Sequence, residues 1–236
     1  AWGANSSGQS SVPGGLASLS GVAAGGFHSM ALRADGTVAC WGSNTFGQST
    51  PPIGLADAVR IVAGGYHSVA LRAGGAVTCW GRNGNGQCNV PASLGSCVDV
   101  AAGVSHTLAL RADGTVAAWG SNSLGQTTVP ASVTGAVDIA AGNTHSLAIL
   151  SNGSVVGWGS NNRGQLNAPA RAGALAGLVG GGDFTVAIYD ECASDPNKTN
   201  PGVCGCGVAD IDTDGDAVLD CNDNCPTDAL KLEPGQ

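Results

Sequence analysis

Short apolar runs and alternating strands follow one another along residues 22–190 at a fixed step, with no helical periodicity. Each unit opens on an apolar stretch that ends in glycine, VAAGG at Val22–Gly26 and IVAGG at Ile61–Gly65. An alternating stretch follows, HSMALRA at His28–Ala34 and HSVALRA at His67–Ala73, which reads as a β-strand with every second side chain on one face. Turn dipeptides come next: Asp35-Gly36, Gly74-Gly75, Asp113-Gly114 and Asn152-Gly153. Such pairs tolerate positive φ and predict two-residue type I′ hairpins. A further strand carries a tryptophan, and a Gly/Asn/Gln loop then leads outward to the next unit.

The step is 39 residues, kept by Trp2, Trp41, Trp80, Trp119 and Trp158, and by His28, His67, His106 and His145. Each tryptophan heads the frame Trp-Gly-x-Asn-x-x-Gly-Gln. Self-similarity of this period marks stacked or radially arranged supersecondary units. Residues 1–21 are the back half of a repeat, and full repeats start at Val22, Ile61, Val100 and Ile139. A fifth starts at Leu178 and stops at Asp190, where Glu191-Cys192 stands in place of the turn. Strand–turn–strand units cannot bury both faces alone, and radial packing solves this while leaving only short edges exposed. The expected fold is all-β: a five-bladed β-propeller with about 39 residues per blade. Its ring would close by terminal strand pairing, residues 1–4 lying against the strand that ends at Tyr189 and Asp190.

Composition adds a second region. Residues 1–190 hold seven acids and seven arginines, whereas residues 191–236 hold ten acids and two lysines, and so carry the whole net charge of −8. A neutral body with an acidic tail excludes nucleic acid as the expected partner and points to a cation-binding tail. No apolar run approaches the roughly 18 residues that a membrane span needs, so no membrane insertion is expected. No basic, apolar-centred leader is present, so a secretion signal would have been removed or lie outside this sequence. The expected domains are therefore a propeller at residues 1–190 and a Cys/Asp-rich stalk at residues 191–236.

The frame His-Ser-x-Ala-Leu, Asp-Gly-x-Val, Trp-Gly-x-Asn-x-x-Gly-Gln resembles the regulator of chromosome condensation repeat across residues 1–190. Gln126–Pro130, read QTTVP, with IAAGNTHSLAI after it, is more similar to the secreted bacterial branch of that family, which includes a propeller-type inhibitor of β-lactamase. Members usually close with seven blades, and this chain departs from them with five. The resemblance implies a propeller and a location outside the cell or on its surface.

A residue required in every blade reads as structural. The repeated histidines are expected to tie one blade's backbone to the next, and the tryptophans to wedge between blades. Phe184 takes the histidine position in the fifth repeat. No histidine has a distinctive carboxylate or nucleophile beside it, so the chain is not expected to be an enzyme. Binding should sit where the repeats differ: Phe27 and Tyr66 just before the histidine, Phe46, Leu124 and Arg163 in the Asn loop, and Arg82 alongside. Exposed aromatics and arginine are the usual anchors of protein interfaces.

Among the body's cysteines, Cys88 and Cys97 lie in one inter-blade loop at a spacing that a local disulfide can close. Cys40 and Cys79 fill a slot that holds Ala or Gly in other repeats, and read as small packed thiols. In the tail, Cys192, Cys204, Cys206 and Cys221 are disulfide candidates, as suits an oxidising compartment.

The tail's aspartates fall at alternate positions, with Asp210, Asp212, Asp214, Asp216, Asp220 and Asp223 as candidate ligands. Hard oxygen donors on a curled loop select Ca²⁺. A register starting at Asp212 recruits the most carboxylates. With the Asp-Asn-Cys-Pro ending, the stretch resembles a thrombospondin type 3 calcium repeat. The spacing of Cys192, Asp195, Lys198, Pro201 and Gly202 recurs from Cys225, so the tail reads as one unit of an array cut within the second. The functional expectation is a secreted bacterial propeller that binds a protein or surface glycan through its loop face. The alternative is a self-assembling subunit of an extracellular fibre or coat.

Overall fold

The computed structural model of the chain describes residues 1–168 and 174–190, which form strands, turns and loops with no helix. The chain divides into two compact units, Ala1–Ala168 with Leu178–Val186 and Pro169–Gly177 with Ala187–Gln236. The candidate calcium ligands Asp210–Asp223, together with Cys192, Cys204, Cys206 and Cys221, lie outside the described residues.

Four three-stranded antiparallel sheets repeat in order. They are β1 (Leu19–Ala24), β2 (His28–Arg33) and β3 (Val38–Gly42); β4 (Ala58–Ala63), β5 (His67–Arg72) and β6 (Val77–Gly81). The same order gives β7 (Cys97–Ala102), β8 (His106–Arg111) and β9 (Val116–Gly120), then β10 (Ala136–Ala141), β11 (His145–Leu150) and β12 (Val155–Gly159). A two-stranded sheet of β13 (Ala174–Gly180) and β14 (Thr185–Asp190) follows. The second strands of the four full repeats begin at His28, His67, His106 and His145 as the pattern places them, whereas the first strands begin three or four residues before the expected Val22, Ile61, Val100, Ile139 and Leu178.

The turns differ from expectation. Gly36 has φ 81° and its N–H donates to Arg33 O, while Asp35 stays at negative φ. This is a three-residue hairpin loop with its left-handed position at the glycine, not a type I′ turn. Asp35 is held there because its carboxylate accepts from the Thr37 N–H at 2.9 Å and the Thr37 hydroxyl at 2.6 Å. Asp113 and Asn152 repeat the pattern with Thr115 and Ser154.

The core lies between the sheets. On β2, Met30 and Leu32 project from one face and meet Ile61, Leu55, Ala58, Ala70 and Trp80 of the next repeat. Val69 and Leu71 of β5 do the same against Val100, Leu94, Ala109 and Trp119, and Leu108 and Leu110 of β8 against Ile139, Val133, Ala148 and Trp158. Large side chains on one face thus meet alanine on the other (Ala70, Ala109, Ala148, each fully buried), which lets neighbouring sheets approach to native packing density. The tryptophans at 80, 119 and 158 are the buried wedges the sequence suggests.

Trp2 is different. It is 95% exposed, and residues 1–4 form no strand, so the expected closing strand is absent there. Every other tryptophan donates its indole N–H to the carbonyl of the glutamine 32 positions upstream.

The disulfide also departs from expectation. Cys88 pairs with Cys79, their Cα atoms 5.0 Å apart, and not with Cys97. Cys79 on β6 and Cys88 just after Gln87 belong to one repeat, whereas Cys97 opens β7 and is buried in the next wedge beside Leu94. Cys40 stays a free thiol, pushed up to about 12 by burial and so unreactive.

Candidate functional site

The repeated polar residues form one joint, made four times. The ring Nε2 of His28 lies 2.8 Å from Ser68 Oγ of the next repeat, and His67, His106 and His145 reach Thr107, Ser146 and Thr185 at 3.0–3.1 Å. Each of these hydroxyls also donates to a glutamine carbonyl, Ser68 to Gln48 O at 2.8 Å, and that carbonyl receives the Trp80 indole at 2.9 Å. The hydroxyl has one proton and spends it on the carbonyl, so Nε2–H of the histidine must donate. The tautomer is therefore fixed, and Nδ1 is a bare acceptor with no partner in all four rings.

The rings are fully buried. Desolvation pushes His28 and His106 down to about 4 and His67 to about 3, and lowers His145 as well. Gly25, Gly64, Gly103 and Gly142 make room for them, since a Cβ at any of these would strike the histidine ring three residues on. The histidines are thus used up as inter-sheet hydrogen bonders, the role their repetition suggests.

Gln48 is equally committed. Its Oε1 accepts from the Phe46 N–H at 2.9 Å, and Asn44 Oδ1 accepts from the Ser49 N–H at 2.9 Å. This Asn–Gln scaffold recurs at Asn83/Gln87, Asn122/Gln126 and Asn161/Gln165. It holds the two residues between asparagine and glycine at the tip of a rigid loop. The tip sequence is therefore free to vary without loss of the fold.

Phe46 occupies that tip in the first full repeat. Phe27 and Tyr66 close the β1–β2 and β4–β5 loops, where their carbonyls accept from the N–H groups of Ser43 and Arg82. These four loop ends meet. Phe27 stacks on Tyr66 with ring centroids 5.2 Å apart, and Phe46 meets Tyr66 edge-on at 5.6 Å. The Arg82 guanidinium lies over both Phe46 (5.2 Å) and Tyr66 (5.7 Å), a cation–π geometry. Phe27 is 39% and Phe46 45% exposed, while Tyr66 and Arg82 are half-buried.

The structure therefore gathers four of the six expected binding residues into one patch across two repeats. Leu124 and Arg163 sit exposed at the equivalent loop tips of later repeats, where Ser105 and Thr144 replace the aromatics. No group of three or more His, Cys, Asp or Glu able to hold a metal occurs among the described residues. Sequence reasoning missed Cys79 as the partner of Cys88. Their common repeat was the available signal.

Three-stranded antiparallel sheets, joined in series by identical polar and apolar contacts, are the blades of a β-propeller repeat protein. The family model described as the regulator of chromosome condensation (RCC1) repeat matches residues 20–48, 58–87, 97–126 and 136–165, half of the chain. The chain belongs to that family.

Among solved structures it is similar to human WBSCR16, with 21% identity, a TM-score of 0.64, and 74% of this chain and 61% of that one covered. It is also similar to Prp20p from Saccharomyces cerevisiae, at 20% identity and a TM-score of 0.62, with 72% and 55% covered. A third likeness is to the CRINKLY WD40 ectodomain of the Arabidopsis thaliana receptor kinase ACR4, at 22% identity and a TM-score of 0.58, with 75% and 64% covered. These likenesses show the fold, and the chain spans between half and two-thirds of the length of these structures. Among curated proteins no sequence matches the chain.

Proposed function

We propose that this chain is a non-enzymatic binding propeller of five repeats, secreted or displayed on a cell surface, which takes a protein or surface glycan on its loop face. The observation that carries the reading is the exposed Phe27–Tyr66–Phe46 cluster capped by Arg82. A chain with only 4% aromatic residues places three of them together at loop ends, outside the apolar wedges. Rigid aromatics with an arginine are the composition of interface hot spots. Protein binding is in keeping with Prp20p, whose solved structures concern its binding to Gsp1p and histones and its complex with Kap60.

The Cys79–Cys88 disulfide supports an oxidising compartment, as the secreted bacterial branch of the family would require. In the same reading residues 191–236 are a thrombospondin type 3-like stalk that takes Ca²⁺ through Asp210–Asp223. Calorimetric titration with Ca²⁺ should show uptake that Asp214→Ala and Asp220→Ala each weaken.

The binding test is capture from the native cell surface by the intact protein, against the double variant Phe46→Ala/Tyr66→Ala. Loss of capture with an unchanged melting temperature supports the loop face as the site. Undiminished capture by the double variant overturns it.

A further inference from the structure

The second full repeat breaks a rule that the other three keep. Two residues after the tryptophan stands a serine in three of them, Ser43, Ser121 and Ser160, but an arginine, Arg82, in the second. Each serine hydroxyl accepts from the loop glutamine of its own repeat, with Gln48, Gln126 and Gln165 donating through Nε2 at 3.2–3.4 Å. Arginine has no side-chain acceptor to offer. Gln87 is fully buried and is left with an Nε2 that has no partner. An orphaned buried donor weakens a fold. Stability given up at one of four equivalent positions singles out the residue that causes the loss.

Arg82 is firmly held. Its backbone N–H donates to Tyr66 O at 2.9 Å, and the Cys79–Cys88 disulfide brackets its loop, with the Cys88 sulfur 3.8 Å from Arg82 O. The guanidinium lies over Phe46 and Tyr66, and among the described residues its N–H donors meet neither an acceptor nor a carboxylate. By contrast, Arg60 and Arg72 face Asp99 and Asp57 at 2.7 Å, and Arg111 donates to Leu94 O at 2.7 Å.

A guanidinium laid on aromatic rings with its planar fork unspent matches the two oxygens of a carboxylate. The charge also fits one carboxylate. Residues 1–190 hold no lysine, and Arg60, Arg72 and Arg111 are committed elsewhere, so a phosphate dianion or a sulfated glycan would meet too little positive charge. The amides of the two loops are spent on their own backbone and hydroxyls: Asn44 on Ser49 and Thr50, Gln48 on Phe46 and Ser43, Asn83 on Cys88 and Asn89. Sugar hydroxyls therefore find few planar polar partners there, whereas apolar rings around one cation suit a peptide segment.

We infer that the patch takes an aspartate or glutamate of a protein partner, flanked by an apolar side chain. The carboxylate sits on the Arg82 fork and the apolar group against Phe27 and Phe46. Arg82 sets the specificity and the rings supply contact area. The inference rests on the loop face being the binding site.

The test is a titration of the intact ¹⁵N-labelled protein, followed at the Arg82 Nε–H signal, with the peptide acetyl-Phe-Glu-Phe-amide. It should saturate at a concentration about ten-fold lower than acetyl-Phe-Gln-Phe-amide. Arg82→Lys keeps the charge but loses the fork, and should bind the glutamate peptide about three-fold more weakly or worse. Arg82→Ser should abolish the preference for glutamate while the melting temperature stays level or rises, because the serine gives Gln87 Nε2 its acceptor back. Equal binding of the two peptides overturns the inference, as does tighter binding of a heparin hexasaccharide than of the glutamate peptide. A lower melting temperature for Arg82→Ser would make Arg82 a structural residue and also overturn it. Capture of the cell-surface partner that survives Arg82→Ser but not Phe46→Ala/Tyr66→Ala overturns the carboxylate alone and leaves the loop face as the site. Capture that survives both removes the loop face, and this inference with it.

Discussion

The two ends of a blade obey different rules. At the joint, histidine, hydroxyl and glutamine carbonyl recur four times, three of them with an indole, at distances that hardly change, because each hydrogen-bonding pair is buried between neighbouring blades. At the loop tips the backbone recurs just as faithfully, but the side chains do not: Phe46, Asn85, Leu124 and Arg163 occupy equivalent scaffolds. The contrast shows where selection for fold ends. A group whose polar atoms are all satisfied inside the protein cannot change without leaving another group orphaned. A side chain held up by the backbone and facing water can.

Acid should separate the two ends most sharply. Each buried histidine has its folded value below its unfolded value near 6.5, so stability is full above that value and is lost as pH falls toward the folded value. Protonation at Nδ1 would place a buried donor where no acceptor stands. At pH 5 the three rings with the largest shifts cost about 2 kcal/mol each relative to neutral pH.

Asp99 works in the opposite direction. Burial lifts it to about 6 despite its ion pair with Arg60 at 2.7 Å, so acidification favours its folded form. That one group offsets only about 1.4 kcal/mol at pH 5, and the histidines win. The melting temperature should therefore fall steeply between pH 6.5 and 4. A flat profile across that window would mean that the rings are not buried neutral.

Breaking a single joint is the next largest effect. His106→Ala removes a buried ring and leaves the Ser146 hydroxyl without its donor. The expected loss is about 3 kcal/mol, or about 6–12 °C in melting temperature. Below that comes Cys88→Ser, which frees the nine-residue span from Cys79 and should cost about 2 kcal/mol through the unfolded chain, with the acid response unaltered.

The smallest effect on stability belongs to the loop end. Phe46→Ala should cost less than about 1 kcal/mol because it removes exposed contacts only, while Arg82→Ala should weaken partner binding about ten-fold or more. Loss of stability on the scale of His106→Ala at either position would move the patch from surface to core, and the comparison with the joint would fail.

The sequence alone determined the unit of structure. A 39-residue step of strand, turn and tryptophan strand leaves no other way to bury the small apolar faces than repetition, and repetition by itself marks the histidines as structural. Phe27, Phe46, Tyr66 and Arg82 were legible as variable loop residues, since departure from a repeat is visible in one dimension. Their assembly into one patch was not. Phe27 and Tyr66 stand one full repeat apart, and only the inter-blade spacing, set by Met30 and Ile61 packing on Ala70, brings their rings to 5.2 Å.

The same holds for Cys88. Nearness in sequence favours Cys79 and Cys97 equally, and strand direction decides, because β6 stays in the repeat of Cys88 while β7 leaves it. An amphipathic pattern states that a face wants burial, and tertiary structure alone supplies the neighbour that buries it.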